Sequence, residues 1–282
     1  MTLADFERDS FQVLAGGHSL AAERLGPVTP GQPTLVFLHE GLGSIAQWRN
    51  FPHRLCRALG LPAVIYDRWG FGKSDPLSLP RPNTYLEIEA EVVLLQLLEA
   101  CGVSRPILIG HSDGGSIALL FAAAFPALPL ACVTMAAHVF VEDEALTGIR
   151  EARRAWQTTK LRDRLARYHG DKVDAVFSGW ADTWIRPDFR DWSMVERLAR
   201  ITCPLLALQG LDDAYGTPKQ VETIVEGVSG PAQPLLLKDC GHTPYRERTE
   251  ETLGAIIAFL GPLLPTPEGR DASRIGFPAQ PD

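Results

Sequence analysis

Six short apolar runs constrain the fold of this 282-residue chain more than any other sequence feature. Polar residues hardly interrupt them, which is typical of strands covered on both faces of a parallel sheet. Helical patterns separate the runs. The clearest covers 85–100, with Leu86, Val93 and Leu97 on one face and Gly102 as its stop signal, and weaker patterns cover 116–124 and 250–260. This alternation predicts an α/β fold with a mostly parallel, doubly wound sheet. The predicted strands are 34–38, 63–66, 106–109, 131–135, 205–208 and 235–237.

Two stretches depart from the alternation. Residues 11–25 have no helix between their apolar runs, so we expect an antiparallel meander at the sheet edge. Strand-like runs vanish between about 140 and 200, where four of the six tryptophans lie. We expect a helical cap over 139–200, a core that contains the sheet over 1–138 and 201–265, and a loosely docked tail over 266–282. Most cap tryptophans should pack the cap onto the core. The candidates for substrate contact are Trp156, Trp180 and, just before the cap, His138.

Composition excludes several function classes. The formal net charge is -7 and no Lys/Arg cluster occurs, which argues against nucleic-acid binding. The amino-terminal residues show no signal-peptide pattern, and no apolar run could span a bilayer. The five cysteines are scattered without a C-x-x-C pair, which predicts reduced thiols in a cytoplasmic protein. Cys240 is interpreted as a packing residue.

The segment Gly110-His111-Ser112-Asp113-Gly114 follows a predicted strand and precedes a predicted helix. This is G-x-S-x-G in the strand–turn–helix setting of a nucleophile elbow. The serine must sit on a tight, strained turn, so its neighbours must be small, and Gly110 and Gly114 meet that need. The helix amino terminus behind Ser112 favours negative charge where an oxyanion would form. Ser112 is therefore the predicted nucleophile.

A serine hydroxyl needs a base, and enzymes with this elbow place the acid and the histidine after the serine. Of the seven histidines, only His242 lies beyond the predicted cap, and it follows a predicted strand. His242 is the predicted base. The loop after strand 205–208 offers Asp212 and Asp213, and position alone leaves both open as the acid that orients the imidazole.

Two backbone N–H groups should form the oxyanion hole. One is predicted at Asp113, directly after the nucleophile, and the other at Gly41, in the loop after strand 34–38. His39-Glu40 begins like the zinc motif H-E-x-x-H, but position 43 is glycine, so that motif fails and no metal site is predicted.

The segment 67–74 contains a G-x-G but lacks a third glycine and the P-loop spacing, which excludes a nucleotide-binding loop. We interpret it as a structural loop. Its Asp67 and Arg68 are expected to form an internal hydrogen-bond network.

Taken together, these motifs resemble the α/β-hydrolase superfamily over roughly 11–264: H-x-G-x-G-S at 39–44, D-R-x-G-x-G-x-S at 67–74, G-H-S-D-G-G at 110–115, G-x-x-D at 210–213 and G-H at 241–242. The resemblance implies an α/β-hydrolase fold with an inserted helical cap and favours Asp213 as the triad acid. Many relatives have glycine where this chain has Glu40, which would oppose an oxyanion if it faced the pocket. We therefore expect Glu40 to point away or to pair with a cation.

Within the superfamily, S-D-G-G at 112–115 is similar to the biphenyl-hydrolase-like (valacyclovir hydrolase) esterases and related C–C hydrolases. In that branch, the acid after the serine can bind a substrate ammonium group. The resemblance thus implies a second role for Asp113, as a substrate-binding residue, beside the alternative that it supplies only its N–H and is otherwise structural.

The predicted function is hydrolysis of a small ester-like substrate through an acyl-enzyme, without metal or organic cofactor, by a monomer or homodimer. One alternative is a C–C bond hydrolase of vinylogous diketones, although those enzymes often carry an aromatic residue where this chain has Thr243. Lactonase and amidase activities stay open. A carboxylate-nucleophile dehalogenase or epoxide hydrolase does not fit Ser112. A non-catalytic ligand receptor on a hydrolase scaffold is the alternative from another class.

Overall fold

A computed structural model of the chain describes residues 6–264. One sheet of eight strands forms its centre, in the order β1-β2-β4-β3-β5-β6-β7-β8. All six strands predicted from apolar runs are present. The strands are β1 (Arg8–Ala15), β2 (His18–Leu25), β3 (Pro33–Leu38), β4 (Ala63–Tyr66), β5 (Arg105–His111), β6 (Ala131–Met135), β7 (Leu205–Gly210) and β8 (Ala232–Leu237).

The sheet is parallel from β4 through β8 and antiparallel at one edge. β1 pairs with β2 and β2 pairs with β4 in antiparallel register, which confirms the predicted edge meander. The remaining pairs are parallel, as in β3–β5, where Val36 lies opposite Leu108. Strands β3 to β7 are buried almost throughout, as their uninterrupted apolar runs require.

Helices cover both faces of the sheet. Leu55 of α1 and Ile256 of α10 pack on one face, while Leu97 of α3, Ile117 of α4 and Val221 of α8 pack on the other. The doubly wound α/β prediction is confirmed. The helices are α1 (Phe51–Leu59), α2 (Tyr85–Ile88), α3 (Leu95–Ala100), α4 (Asp113–Ala124), α5 (Asp143–Thr158), α6 (Leu161–His169), α7 (Val173–Ile185), α8 (Lys219–Gly227), α9 (Pro244–Glu247) and α10 (Thr249–Leu260).

The helix predicted over 85–100 contains a π-helical stretch, Glu89–Leu94, between α2 and α3. Glu89 is buried on this stretch, and its Oε1 accepts a hydrogen bond of 3.1 Å from the Tyr66 hydroxyl. Glu89 lies three residues after Leu86 and four before Val93, so the helical period also places it near the buried face.

Helices α5, α6 and α7 lie in the long connection between β6 and β7, together with loops and short 3₁₀ turns. We keep the division into core and cap as a proposal. The predicted tail, 266–282, lies outside the described residues. Over 6–264, no helix combines the length and the apolar character needed to cross a membrane.

Because β3 to β8 are parallel, the loops that follow them meet at one edge of the sheet. The loops after β3, β5, β6, β7 and β8 carry Gly41, Ser112, His138, Asp213 and His242 respectively. In open α/β sheets, ligands bind at this carboxyl edge.

Candidate active site

Ser112 lies on a strained turn between β5 and α4. Its backbone has φ 53° and ψ −120°, a conformation that non-glycine residues rarely adopt. The flanking glycines are needed because the backbones touch. A Cβ at Gly110 would lie 2.3 Å from the carbonyl oxygen of Gly114, and a Cβ at Gly114 would lie 2.1 Å from the carbonyl oxygen of Leu38. The turn therefore projects the serine hydroxyl toward the cavity described below.

His242 and Asp213 form a close ion-pairing arrangement. His242 Nδ1 lies 2.8 Å from Asp213 Oδ1 and 2.9 Å from Oδ2. The Asp213 side chain is 1% exposed, whereas that of His242 is 18% exposed and opens into the cavity. Burial raises the pKa of Asp213, but the charge and hydrogen bond of His242 outweigh it and hold this pKa below its ordinary value. Asp213 is thus ionised at neutral pH.

The structure brings Asp213 and not Asp212 to the histidine. Asp212 is exposed, and its backbone N–H donates to the Cys240 carbonyl at 2.9 Å. That bond joins the loops after β7 and β8. Gly210 permits this close approach, because a Cβ there would lie 2.1 Å from the same carbonyl oxygen. Cys240 itself is buried, and burial raises the pKa of its thiol to about 11.

His111, the residue before the nucleophile, joins the elbow to the histidine loop. Its Nε2 donates to the main-chain carbonyl of His242 at 2.7 Å, and its Nδ1 lies 3.3 Å from Glu40 Oε2. Burial raises the pKa of Glu40, but the hydrogen bond and charge of His111 lower it to about 2. Glu40 does not point away, since its carboxylate is 17% exposed and lines the cavity. Its Oε2 instead lies 3.3 Å from His111 Nδ1, so the carboxylate contacts an imidazole at the cavity edge.

Gly41 and Asp113 are the predicted sources of the two oxyanion N–H groups. Asp113 is the first residue of α4, so its N–H has no acceptor within the helix. The Gly41 N–H makes no hydrogen bond anywhere in the stretch 6–264. Trp180 covers Gly41 so closely that a Cβ there would lie 2.4 Å from the indole Cδ1. Both N–H groups are therefore available as hydrogen-bond donors, which is the property that an oxyanion hole requires.

The Asp113 carboxylate is buried and already has partners. Its Oδ2 accepts a hydrogen bond from the Tyr85 hydroxyl at 3.1 Å and lies 3.4 Å from Arg68 Nη2. The Tyr85 hydroxyl in turn accepts from the Trp184 indole at 2.9 Å. The negative charge beside the nucleophile is therefore met by groups of the protein itself.

A cavity of about 340 Å³ contains Ser112 and His242 at its polar end. No hydrogen bond joins the Ser112 hydroxyl to His242 within residues 6–264, although both line this cavity; such contacts often tighten only with substrate bound. Leu42, Ile149 and Trp180 form part of its apolar wall. The cavity thus brings a serine hydroxyl and a histidine imidazole together with apolar side chains around one small ligand volume.

His138 also lines the cavity and is 4% exposed. Its ring centroid lies 6.2 Å from that of His242 and 5.2 Å from Trp184, and its Nδ1 is buried without a partner. Burial, with a smaller contribution from the charge of His242, lowers the pKa of His138 to about 4. His138 is a neutral imidazole at pH 7.

Trp156 is not placed where we expected it. It stacks on Phe177 with ring centroids 3.9 Å apart and is not part of the cavity lining. Phe177 contacts Trp180 edge-on at 5.9 Å, so Trp156 supports the cavity wall only through these rings. The prediction of a direct substrate contact is corrected for Trp156. Trp184, one turn after Trp180 on α7, lines the cavity instead of Trp156.

The Alpha/beta hydrolase family model matches residues 35–255, more than half of the chain. The chain belongs to the alpha/beta hydrolase family. This confirms the predicted superfamily, and the described sheet has the fold that the motifs implied.

Relatives of this alpha/beta hydrolase catalyse different reactions. Proline iminopeptidase of Lactobacillus crispatus is 22% identical over 266 residues, covering 80% of this chain and 89% of the relative. Human serine hydrolase BPHL is 30% identical over 156 residues, 53% of each chain. The structure of 2-hydroxy-6-oxo-6-phenylhexa-2,4-dienoate hydrolase from Rhodococcus sp. strain RHA1 matches with a TM-score of 0.72 at 18% identity, covering 91% and 99% of the two chains. The fold is shared with enzymes named for a peptidase reaction and for a dienoate hydrolase reaction.

Sequence reasoning missed Tyr215 and Trp184 as cavity residues. Tyr215 follows Asp213 by two positions, and its N–H donates to Asp213 Oδ1 at 2.8 Å. Its ring centroid lies 4.7 Å from that of His242. Its position two residues after a candidate triad acid is the sequence signal that could have identified it.

Proposed function

We propose that this alpha/beta hydrolase is a serine hydrolase that cleaves small ester-like substrates through an acyl-enzyme. The observation that carries the proposal is the pairing of His242 with the buried Asp213 carboxylate in the same cavity as Ser112. The strained backbone of Ser112 supports it, because strain of this kind persists where function requires it.

The geometry supports a two-step acyl transfer. His242 accepts the proton of the Ser112 hydroxyl as its oxygen bonds to the substrate carbonyl carbon. The resulting oxyanion is held by the N–H groups of Gly41 and Asp113. His242 returns the proton to the leaving group as the carbon–oxygen bond breaks. Water then attacks the acyl-enzyme by the same route, with Asp213 stabilising the imidazolium in both steps.

The direct test is Ser112→Ala. We expect the variant to keep its thermal midpoint within a few degrees and to lose p-nitrophenyl acetate hydrolysis by about 10³-fold or more. Wild-type protein should be labelled at Ser112 by a fluorophosphonate probe, as located by peptide mass mapping. Turnover retained by the purified variant, or labelling at another residue, would remove the proposal. Tight ligand binding by unlabelled wild-type protein would favour a receptor.

The cavity supports a small acyl or alkyl group with apolar surface. We propose that Trp180, Trp184 and Tyr215 contact this group, as parts of a cap formed by 139–200 and of the loop after β7. All five cysteines are free and buried, which supports our proposal of a cytoplasmic enzyme.

The C–C hydrolase alternative rests on the relatives, including a dienoate hydrolase of Dechloromonas aromatica. Thr243 lines the cavity beside the proposed base, so no aromatic ring follows His242. Parallel assays on p-nitrophenyl esters, lactones, amides and a dienoate diketone decide between the reactions. The highest kcat/KM should fall on an ester.

We propose that Asp113 acts through its N–H and not as a receptor for substrate ammonium groups. The support is that its carboxylate oxygen Oδ2 is occupied by Tyr85 and faces Arg68. Asp113→Asn should therefore lower kcat/KM by the same factor for a cationic ester and for a neutral ester of equal size. A loss confined to the cationic ester would assign the ammonium to Asp113.

A further inference from the structure

The loop that carries Gly41 is held in place through the carbonyl group of the preceding residue, Glu40. The Glu40 carbonyl oxygen accepts a hydrogen bond from His39 Nδ1 at 2.7 Å and from Arg68 Nη2 at 2.8 Å. A carbonyl oxygen can only accept, so His39 carries its proton on Nδ1. Its Nε2 then accepts from the Arg68 N–H at 3.0 Å. One arginine thus holds this carbonyl directly with its side chain and indirectly through His39.

Fixing the Glu40 carbonyl also fixes the Gly41 N–H. The two groups belong to one planar trans peptide, in which C=O and N–H point in opposite directions. The carbonyl points toward Arg68 and His39, so the N–H points away from them. That N–H has no acceptor among residues 6–264, and it lies under the cavity residue Trp180. A donor kept free and aimed in advance costs no reorganisation when the oxyanion forms.

The same Arg68 nitrogen reaches the second donor residue. Nη2 lies 3.4 Å from Asp113 Oδ2, and Arg68 and Asp113 are 0% and 1% exposed. A guanidinium is suited to this position, because it stays charged when buried and its fork of donors has fixed geometry. The Nε and Nη1 atoms of Arg68 are buried without hydrogen-bond partners. Within 6–264, the Arg68 side chain therefore makes its polar contacts through Nη2, to the Glu40 carbonyl and to Asp113.

We propose that Arg68 is a positioning residue that sets both halves of the oxyanion hole, the Glu40–Gly41 peptide and the start of α4 at Asp113. It contacts neither the nucleophile nor the base. This inference rests on the proposed serine hydrolase function and deepens it. The segment 67–74 therefore has a role in catalysis in addition to the structural role predicted from its sequence.

The test variant is Arg68→Lys, which keeps the positive charge beside Asp113 but loses the planar fork. For p-nitrophenyl acetate we expect kcat to fall about 10- to 100-fold with KM within about 2-fold, because an oxyanion donor acts mainly in the transition state. The inhibition constant of phenylboronic acid, whose tetrahedral adduct places an oxygen in the hole, should rise by a similar factor. The inhibition constant of benzyl alcohol, a neutral ligand that forms no tetrahedral adduct, should not change.

The matched control is Arg81→Lys. Arg81 is also a buried arginine, it lies over the same Phe71 ring and over Tyr85, and it does not contact Glu40. We expect kcat and the boronate constant of this variant to stay within about 3-fold of wild type. An equal loss in both variants would show that any buried arginine in this region matters, and would overturn the inference.

Folding and the proposed function are controlled separately. If Arg68→Lys is unfolded by circular dichroism, the double variant Arg68→Met/Asp113→Asn replaces it, since it removes both charges of the pair together. Its boronate constant should rise about 10-fold or more above that of Asp113→Asn alone, and an equal constant in these two variants would overturn the inference. A folded variant with unchanged kcat and boronate constant overturns the inference alone, provided that wild type is labelled at Ser112 by the fluorophosphonate. Unlabelled wild type overturns the proposed function and this inference together.

Discussion

His138 makes the stability of the enzyme depend on pH in a way that one substitution isolates. Its pKa is about 4 in the folded protein against an ordinary value of 6.5. Between these values, the unfolded chain binds a proton that the folded chain does not, so stability falls as pH decreases through this window. The full difference corresponds to about 3 kcal/mol, of which about 2 kcal/mol is lost by about pH 5.

The experiment compares wild type with His138→Asn by urea unfolding at about pH 7.5, 6 and 5. The charged and titratable groups facing this imidazole are His242, Asp213, Asp113 and Glu142, and they are present in both proteins. Wild type should lose about 2 kcal/mol more than the variant between pH 7.5 and pH 5. Other buried histidines cancel in this difference. A constant stability difference across the three pH values would refute a neutral, buried His138.

Two further outcomes follow from the backbone contacts and from Glu40. Gly114→Ala should lower the free energy of unfolding by about 1–3 kcal/mol or more, because the new Cβ would meet the Leu38 carbonyl at 2.1 Å. Gly254→Ala should raise the free energy of unfolding by about 0.5–1 kcal/mol, because its Cβ would have no atom within 4 Å. Glu40 has a depressed pKa of about 2, so its contribution to stability is present above its ordinary 4.5 and is lost as pH falls toward 2. In acid titrations followed by circular dichroism, Glu40→Gln should therefore lose less stability than wild type between about pH 5 and about pH 3, and equal losses would contradict the pairing with His111.

The strands were predictable where both faces are buried and less so at the sheet edge. β5 and β6 are buried along nearly their whole length, so their apolar runs marked them directly. β8 begins at Ala232, but only 235–237 was predicted. Gln233 and Pro234 are exposed on this edge strand and interrupt the apolar pattern. An edge strand buries less of its surface, and its sequence carries correspondingly less signal.

In the candidate site, too, the sequence identified residues of a local motif but not residues that are brought together only by the tertiary structure. Ser112 and its flanking glycines form a motif of five consecutive residues that the sequence shows directly, although Gly114 is also required by its contact with the Leu38 carbonyl of β3. Trp156 and Trp184 could not be ranked, because both lie among aromatic residues on packed helices between β6 and β7, and the helical period does not say which helix faces the cavity. The partner of Glu40 was equally out of reach, since His111 is brought to it by the parallel pairing of β3 and β5.

The position of the helical insert has a consequence for how activity is acquired during folding. Ser112 and both N–H donors come from the strands before the insert, while Asp213 and His242 come after it. Cys132 of β6 pairs with Leu205 of β7 across the chain segment that contains α5 to α7. Because this long segment must close into a loop before the strands can pair, the contact is one of the less local ones in the sheet. A refolding chain can therefore form its elbow and still be inert. Recovery of turnover measures completion of the last two strands, and it should lag behind the return of helical signal in a refolding experiment.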